Sequence, residues 1–156
     1  PLSQEAVDVK KLIEEVIQAV RAGHPAVNIS SVIPDDEVFI IGDSLKVYQA
    51  VLNLTVNAAI HTPEGTPITV TLSEKDDAVQ IKVSDLGPGL TPEQQTRVFE
   101  RFYRVDQSRT RNGADGSGLG LSIVQAIMDA HHGTVTVESE LGRGTSFTLT
   151  FPIRES

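Results

Sequence analysis

The sequence has no cysteine, which excludes a disulfide scaffold and thiolate metal sites and fits a reducing compartment. No apolar run approaches the ~20 residues of a bilayer-spanning helix, and no signal peptide is visible. Basic charge is scarce: 13 Lys and Arg against 21 Asp and Glu leave a formal net charge of −8. That balance argues against a nucleic-acid partner, which needs a basic footprint. There is no G-x-x-x-x-G-K-[ST] P-loop, and no strand leading into a G-x-G-x-x-G dinucleotide turn. With scattered histidines and no thiol, a zinc site is not expected. Internal repeats and low-complexity tracts are also missing. The chain opens at Pro1 rather than Met, so a fragment of a longer protein is expected.

What remains is enough for one domain with a full core: 156 residues, 39% hydrophobic and 22% charged. Its most informative stretch runs from Gly113 to Gly133. Alternating Gly116, Gly118 and Gly120 let the backbone turn sharply and approach a ligand with no side chains in the way. Leu121, Ile123, Val124, Ile127 and Met128 then recur at helical spacing. Gly133 stands where a helix ends in a left-handed residue. Free N–H groups at a helix start, fed by a glycine loop, make an anion site. Just upstream, Arg97, Arg101, Arg104, Arg109 and Arg111 concentrate five of the thirteen basic residues, where a polyanionic ligand would want them.

In chain order, Val7 to Val20 reads as an amphipathic helix ended by Gly23 and Pro25. Residues 27–33 and 38–41 read as two strands with Pro34-Asp35-Asp36 as the turn between them. Gly42-Asp43 caps a helix from Ser44 to about Ile60, with Leu45, Tyr48, Val51, Leu52 and Val56 facing the core. Residues 62–67 are loop. Residues 68–73 and 78–84 alternate as one hairpin, and 134–140 and 146–153 form a second around Leu141 to Gly144. Thr91 caps a short helix between the hairpins. Residues 103–117 are polar and are not expected to hold one structure unaided. The irregular alternation of elements predicts a two-layer α/β sandwich, a mixed, mostly antiparallel sheet with helices on one face.

Within that frame a few polar residues could carry chemistry. Asn53 and Asn57 share a helix face, and Gln49 and His61 extend the stripe. It reads either as a solvated face or as hard oxygen ligands for Mg²⁺. Asp85 continues the inward parity of Val79, Ile81 and Val83. A buried carboxylate there needs a specific donor, and an adenine amino group would serve. The other reading is a plain Asp-x-Gly turn. Gly142-Arg143-Gly144-Thr145 is by itself an ordinary hairpin turn. His131 and His132 are assigned to a last helical turn or to the surface.

In order, Asn53-Leu-Thr-Val-Asn57-Ala58, Asp85-Leu-Gly87-Pro-Gly89, Phe99-Glu-Arg-Phe102-Tyr-Arg104, Gly116-Ser-Gly118-Leu-Gly120-Leu and Gly142-Arg-Gly144-Thr145 resemble the N, G1, F, G2 and G3 boxes of one family. That family is the catalytic ATP-binding domain of two-component sensor histidine kinases, which has the Bergerat fold. The resemblance covers roughly residues 38 to 153. It implies that Asp85 binds the adenine amine, that Gly87 and Gly89 shape the adenine pocket, and that Thr145 adds a hydrogen bond. Asn57 would ligate Mg²⁺ and Asn53 would lie beside the phosphates. Residues 103–117 would be a lid that orders on ATP binding. Gly116, Ser117, Gly118, Leu119, Gly120 and Leu121 would line the phosphates, and Arg104 would reach the γ-phosphate. Ile60 stands where members often carry Lys or Arg, and Leu86 where Asn is usual.

The phosphoacceptor motif His-Glu-x-x-x-Pro does not occur in the sequence. Residues 1–22 are therefore expected to join the missing dimerisation and phosphoacceptor module to an ATP-binding domain at 23–156. The implied partners are that phosphoacceptor domain and a cognate response regulator, with neither nucleic acid nor direct membrane contact by this fragment. The implied setting is the cytoplasmic part of a bacterial inner-membrane sensor. Two alternatives keep the fold: a serine kinase of the anti-sigma-factor type, and a nucleotide-gated interaction module without transfer chemistry.

Overall fold

The structure, a computed structural model, describes residues 2–101, 103 and 120–153. The elements are β1 (Glu5–Asp8), α1 (Val9–Gly23), β2 (Asn28–Val32), β3 (Phe39–Gly42), α2 (Ser44–His61), β4 (Pro67–Lys75), β5 (Ala78–Asp85), α3 (Pro92–Arg97), α4 (Gly120–Ala130), β6 (Thr134–Glu140) and β7 (Gly144–Pro152). Five strands form the main sheet in the order β2-β4-β5-β7-β6, and β1 and β3 form a separate pair. Every pairing is antiparallel except β2 with β4.

Period-two alternation builds this layer. Ile68, Val70, Leu72, Val79, Ile81, Val83, Phe147, Leu149 and Phe151 are buried on one face. The intervening residues of the same strands, such as Thr69, Thr71, Lys82, Ser84 and Thr148, are half-buried or exposed. The apolar face packs under α1, α2 and α4, giving the expected two layers. The β4–β5 turn is a two-residue loop in which Asp76 and Asp77 have φ of 53° and 63°. That geometry matches the right-handed strand twist, and Asp tolerates it better than most side chains.

Four expectations need correction. The first helix begins at Val9, because Glu5–Asp8 pair with β3 as a strand and Asp8 accepts from Lys11 N at 3.2 Å as the N-cap. The segments around Pro34 are strands but not partners: β2 pairs in parallel with β4, whereas β3 pairs with β1. Alternation reveals a strand and its buried face, and says nothing about which neighbour it joins. On α2 the buried residues are Val47, Ala50, Val51, Leu54, Thr55 and Ala58, while Leu45 is 77% exposed. This helix lies between α1, α4 and the sheet, so it is apolar over a wide arc and periodicity does not single out one stripe.

The fourth concerns the end of α4. The left-handed residue is His132, with φ of 62°, and the Gly133 N–H reaches back to the Met128 carbonyl at 2.9 Å. This is a Schellman closure. Gly133 is needed for a different reason: a Cβ there would lie 2.3 Å from the Thr150 carbonyl oxygen. His131, assigned to the surface or to a charged last turn, is buried. Its Nε2 accepts from the Asp43 backbone N–H at 3.1 Å, and its Nδ1 lies 2.8 Å from the Ile127 carbonyl. A backbone N–H can only donate and a carbonyl only accept, so the proton sits on Nδ1 and the ring is neutral. His131 thereby ties the end of α4 to the cap of α2, where Asp43 accepts from Lys46 N at 3.2 Å as the sequence expects.

Candidate functional site

Asp85 is the last residue of β5, so the strand does persist far enough to carry its inward parity. The carboxylate is half-buried and lines a cavity of about 450 Å³ together with Asn57, His61, Thr62, Gly89, Leu121 and Thr145. Desolvation raises its pKa above the ordinary 3.8; N–H groups of Gly87 and Thr145 and the charge of His61 oppose the rise without cancelling it. The Gly87 N–H donates to Oδ1 at 2.9 Å. An acid retained in a mostly apolar cavity in this way is suited to a ligand with its own N–H donors.

The cavity wall is set by α2. Gln49, Asn53, Asn57 and His61 are all half-buried, so the stripe is not the solvated face that its spacing also allowed. Asn57 faces the cavity. Asn53, one turn earlier, donates from Nδ2 to the Gly120 carbonyl at 3.4 Å, joining α2 to the first residue of α4. Leu121, in the first turn of α4, lines the cavity, so the N-terminal end of that helix, the positive end of its dipole, borders it. Thr62 closes the side wall, its hydroxyl spent on the Ala58 carbonyl at 2.8 Å.

The rim consists of two loops in close contact, residues 86–91 and the β6–β7 turn. Gly89 has φ of 80°, and a Cβ on it would stand 2.3 Å from the Glu140 carbonyl oxygen. Gly144 has φ of 114°, and its Cβ would meet the Asp85 carbonyl at 1.9 Å. Only glycine supplies both the conformation and the clearance at these two points. The Gly142 N–H donates to the Pro88 carbonyl at 2.9 Å and completes the stitch. The β6–β7 turn, unremarkable in sequence, gives the cavity wall Leu141 and Thr145.

Further along, Thr91 caps α3 through a capping box with Gln94, its Oγ1 3.1 Å from Gln94 N. Val98 is buried in the cavity wall, and Phe99 meets Phe147 edge-on with ring centroids 6.1 Å apart. Arg97 is held by Glu100 at 3.1 Å and stacks over Tyr103 at 4.5 Å. Arg104, Gly116, Ser117, Gly118 and Leu119, with nearly all of the expected lid, lie outside the described residues.

Sequence reasoning placed His61 on the polar stripe of α2 but missed Ser139, Gln95 and Thr62 as parts of this site. Ser139 alone left a trace, a hydroxyl residue continuing the half-buried parity of Val135 and Val137. A second cavity of about 400 Å³ lies behind Thr62 and Pro63, between residues 23–27 and 64–66. Its acid, Glu64, is exposed, so it lacks the half-buried carboxylate that distinguishes the first.

Among the described residues no three His, Cys, Asp or Glu converge to hold a metal ion. Asn57 has its side-chain amide on the cavity, where its carbonyl oxygen is of the hard type that suits magnesium beside phosphate and water. No described helix is long and apolar enough to cross a membrane.

Residues 42–155 match the family described as histidine kinase-, DNA gyrase B-, and HSP90-like ATPase. The sensor histidine kinase RppB of Synechocystis sp. is 41% identical over 93% of this chain and 31% of its own length. The probable sensor histidine kinase TcrY of Mycobacterium tuberculosis is 39% identical over 98% of this chain and 32% of its own. The chain thus spans about a third of the curated relatives it matches. Among solved structures, the mycobacterial sensor histidine kinase MprB superposes with a TM-score of 0.83 at 30% identity, covering 98% of this chain and 99% of that one. Full-length ShkA, solved in complex with AMPPNP, gives 0.83 at 31% identity over 100% of this chain and 32% of its own. The chain belongs to the histidine kinase-, DNA gyrase B- and HSP90-like ATPase family, as an ATP-binding catalytic domain of the sensor histidine kinase type.

Proposed function

We propose that the domain binds Mg·ATP in the Asp85 cavity and donates the γ-phosphate to a histidine on a separate phosphoacceptor domain of the same kinase. A cognate response regulator would receive the phosphoryl group from there. The observation that carries this reading is the half-buried Asp85 carboxylate in a cavity bordered by the start of α4. Asp85 accepts a hydrogen bond from the adenine amine, Gly87 and Gly89 fix the loop that covers the base, and Thr145 adds a hydrogen bond. The first turn of α4, from Gly120 and Leu121, faces the phosphates, with Gly116 to Leu119 extending the same cradle. Asn57 ligates magnesium, and Asn53 holds the start of α4 beside the phosphates through the Gly120 carbonyl.

A magnesium ion held at Asn57 would supply charge neutralisation to the phosphates. The chain's own contribution is orientation and a site sheltered from water, since phosphoryl transfer depends mainly on positioning and charge. By resemblance, Arg104 meets the γ-phosphate. AMPPNP in ShkA is in keeping with a nucleoside triphosphate as ligand. Sensor kinases among the relatives suggest that the domain works on the cytoplasmic side of a membrane-anchored receptor.

The test supplies a purified phosphoacceptor domain of the His-Glu-x-x-x-Pro type with γ-labelled ATP. Acid-labile, alkali-stable label on histidine supports the proposal. Label on serine would make the domain a serine kinase, and ATP binding with no transfer would make it a nucleotide-gated interaction module.

A further inference from the structure

Ser139 lies on the edge strand β6, outside every motif that carries the family resemblance, yet its hydroxyl sits among the groups that shape the cavity. Its Oγ accepts from the Leu90 N–H at 2.7 Å. It donates to the Gly144 carbonyl at 2.8 Å. It also lies 2.8 Å from the Thr145 hydroxyl. The Gln95 amide reinforces the junction, donating to the Leu90 carbonyl at 3.2 Å and the Ser139 carbonyl at 3.0 Å.

A hydroxyl has one proton and two lone pairs. The Gly144 carbonyl can only accept, so it takes the Ser139 proton. The Leu90 N–H can only donate, so it fills one lone pair of Ser139. The remaining contact is satisfied only if Thr145 gives its proton to the second lone pair. Thr145 is buried and lines the cavity, and with its proton committed it can offer the cavity only lone pairs.

We propose that Ser139 is a positioning residue that fixes the Thr145 hydroxyl as a hydrogen-bond acceptor and thereby favours adenine over guanine. The inference rests on the adenine reading of the cavity. Adenine presents an amine that donates toward Asp85 and Thr145, whereas guanine presents a carbonyl oxygen at the same ring position. That oxygen would face a carboxylate and the lone pairs of an oriented hydroxyl, with no donor to meet it. A freely rotating Thr145 could turn its proton toward guanine and soften the discrimination.

The experiment measures Kd for ATP and for GTP by calorimetry on wild type, Asp85→Asn, Ser139→Ala, Ser139→Thr, Thr145→Val and the Ser139→Ala/Thr145→Val double variant, each checked for folding by thermal melt. Ser139→Ala is expected to lower the ATP-over-GTP preference about 5- to 10-fold, the scale of one neutral hydrogen bond. Ser139→Thr keeps the hydroxyl and should retain the preference. Thr145→Val should lower it at least as far, with Asp85 still opposing guanine, and adding Ser139→Ala to that background should change the ratio no further. If Ser139→Ala binds more weakly with an unchanged ratio, Ser139 is only a structural brace and the proposal is overturned. If Ser139→Ala fails to fold, an unchanged ratio in Thr145→Val overturns it independently. Wild type that ignores ATP, or that binds it equally well with Asp85→Asn, would instead refute the adenine reading itself.

Discussion

Replacing Asp85 by Asn should separate ligand binding from stability. The carboxylate accepts from the Gly87 N–H through Oδ1 at 2.9 Å, leaving acceptor capacity toward the cavity. An amide has one oxygen where the carboxylate has two, so with that oxygen turned to the Gly87 N–H its NH₂ faces the adenine amine, donor against donor. Hydrogen bonds to a charged group contribute about 1.5–3 kcal/mol, so ATP affinity should fall about 10- to 150-fold. Stability should move the other way. Burial raises the pKa of Asp85 above 3.8, so its contribution to stability is fully present when protonated below that value. It is lost as pH rises through the raised folded-state value. At neutral pH the ionised group therefore costs stability, and the neutral Asn should melt at the same temperature or higher. Affinity has its own pH signature. ATP binding needs the ionised form and should weaken on acidification at a higher pH than an ordinary carboxylate would impose, and Asp85→Asn should lack that limb. Calorimetry and thermal melts between pH 4 and pH 8, on the order of one pH unit apart, suffice to resolve the difference. An Asn variant with wild-type affinity, or one that binds no ATP because it has unfolded, would refute the reasoning.

Other perturbations probe other parts of the account. Asn57→Ala should remove most of the magnesium dependence of nucleotide affinity, read by titrating ATP with and without the ion; an undiminished dependence places the metal elsewhere. Gly89→Ala forces a side chain into φ of 80° and toward the Glu140 carbonyl, which should cost about 1–3 kcal/mol in denaturant unfolding and weaken ATP binding as well. His131→Phe leaves the buried Asp43 N–H without its acceptor and should also cost about 1–3 kcal/mol. The folded His131→Phe protein should bind ATP as before, and a large affinity change would mean that the α2–α4 tie reaches the site.

Local signals made much of this legible in the sequence. Asp43 and Thr91 are caps, and the β4–β5 and β6–β7 hairpins follow from clean alternation around turn residues. The parity of Val79, Ile81 and Val83 led to Asp85 at the strand end. What could not be read depends on non-local pairing. Glu5–Asp8 is a strand only because β3 lies beside it, and β2 reaches past its sequence neighbour to join β4. His131 looks like any helix-terminal histidine until Asp43, 88 residues away, supplies its donor. Ser139 reads as one more polar residue on an edge strand until residues 90 and 144 close around it. The four-residue spacing of Asn53 and Asn57 was correct, but only the packing of α4 on α2 shows that one faces the cavity while the other holds the start of α4.

The most direct test of the central claim is a crystal structure of the domain with magnesium and a non-hydrolysable ATP analogue. The account requires the adenine amine about 3 Å from the Asp85 carboxylate, Asn57 on the metal and the triphosphate at the start of α4. A base lodged behind Thr62 and Pro63, or an Asp85 turned to bulk water with nucleotide bound, would contradict it.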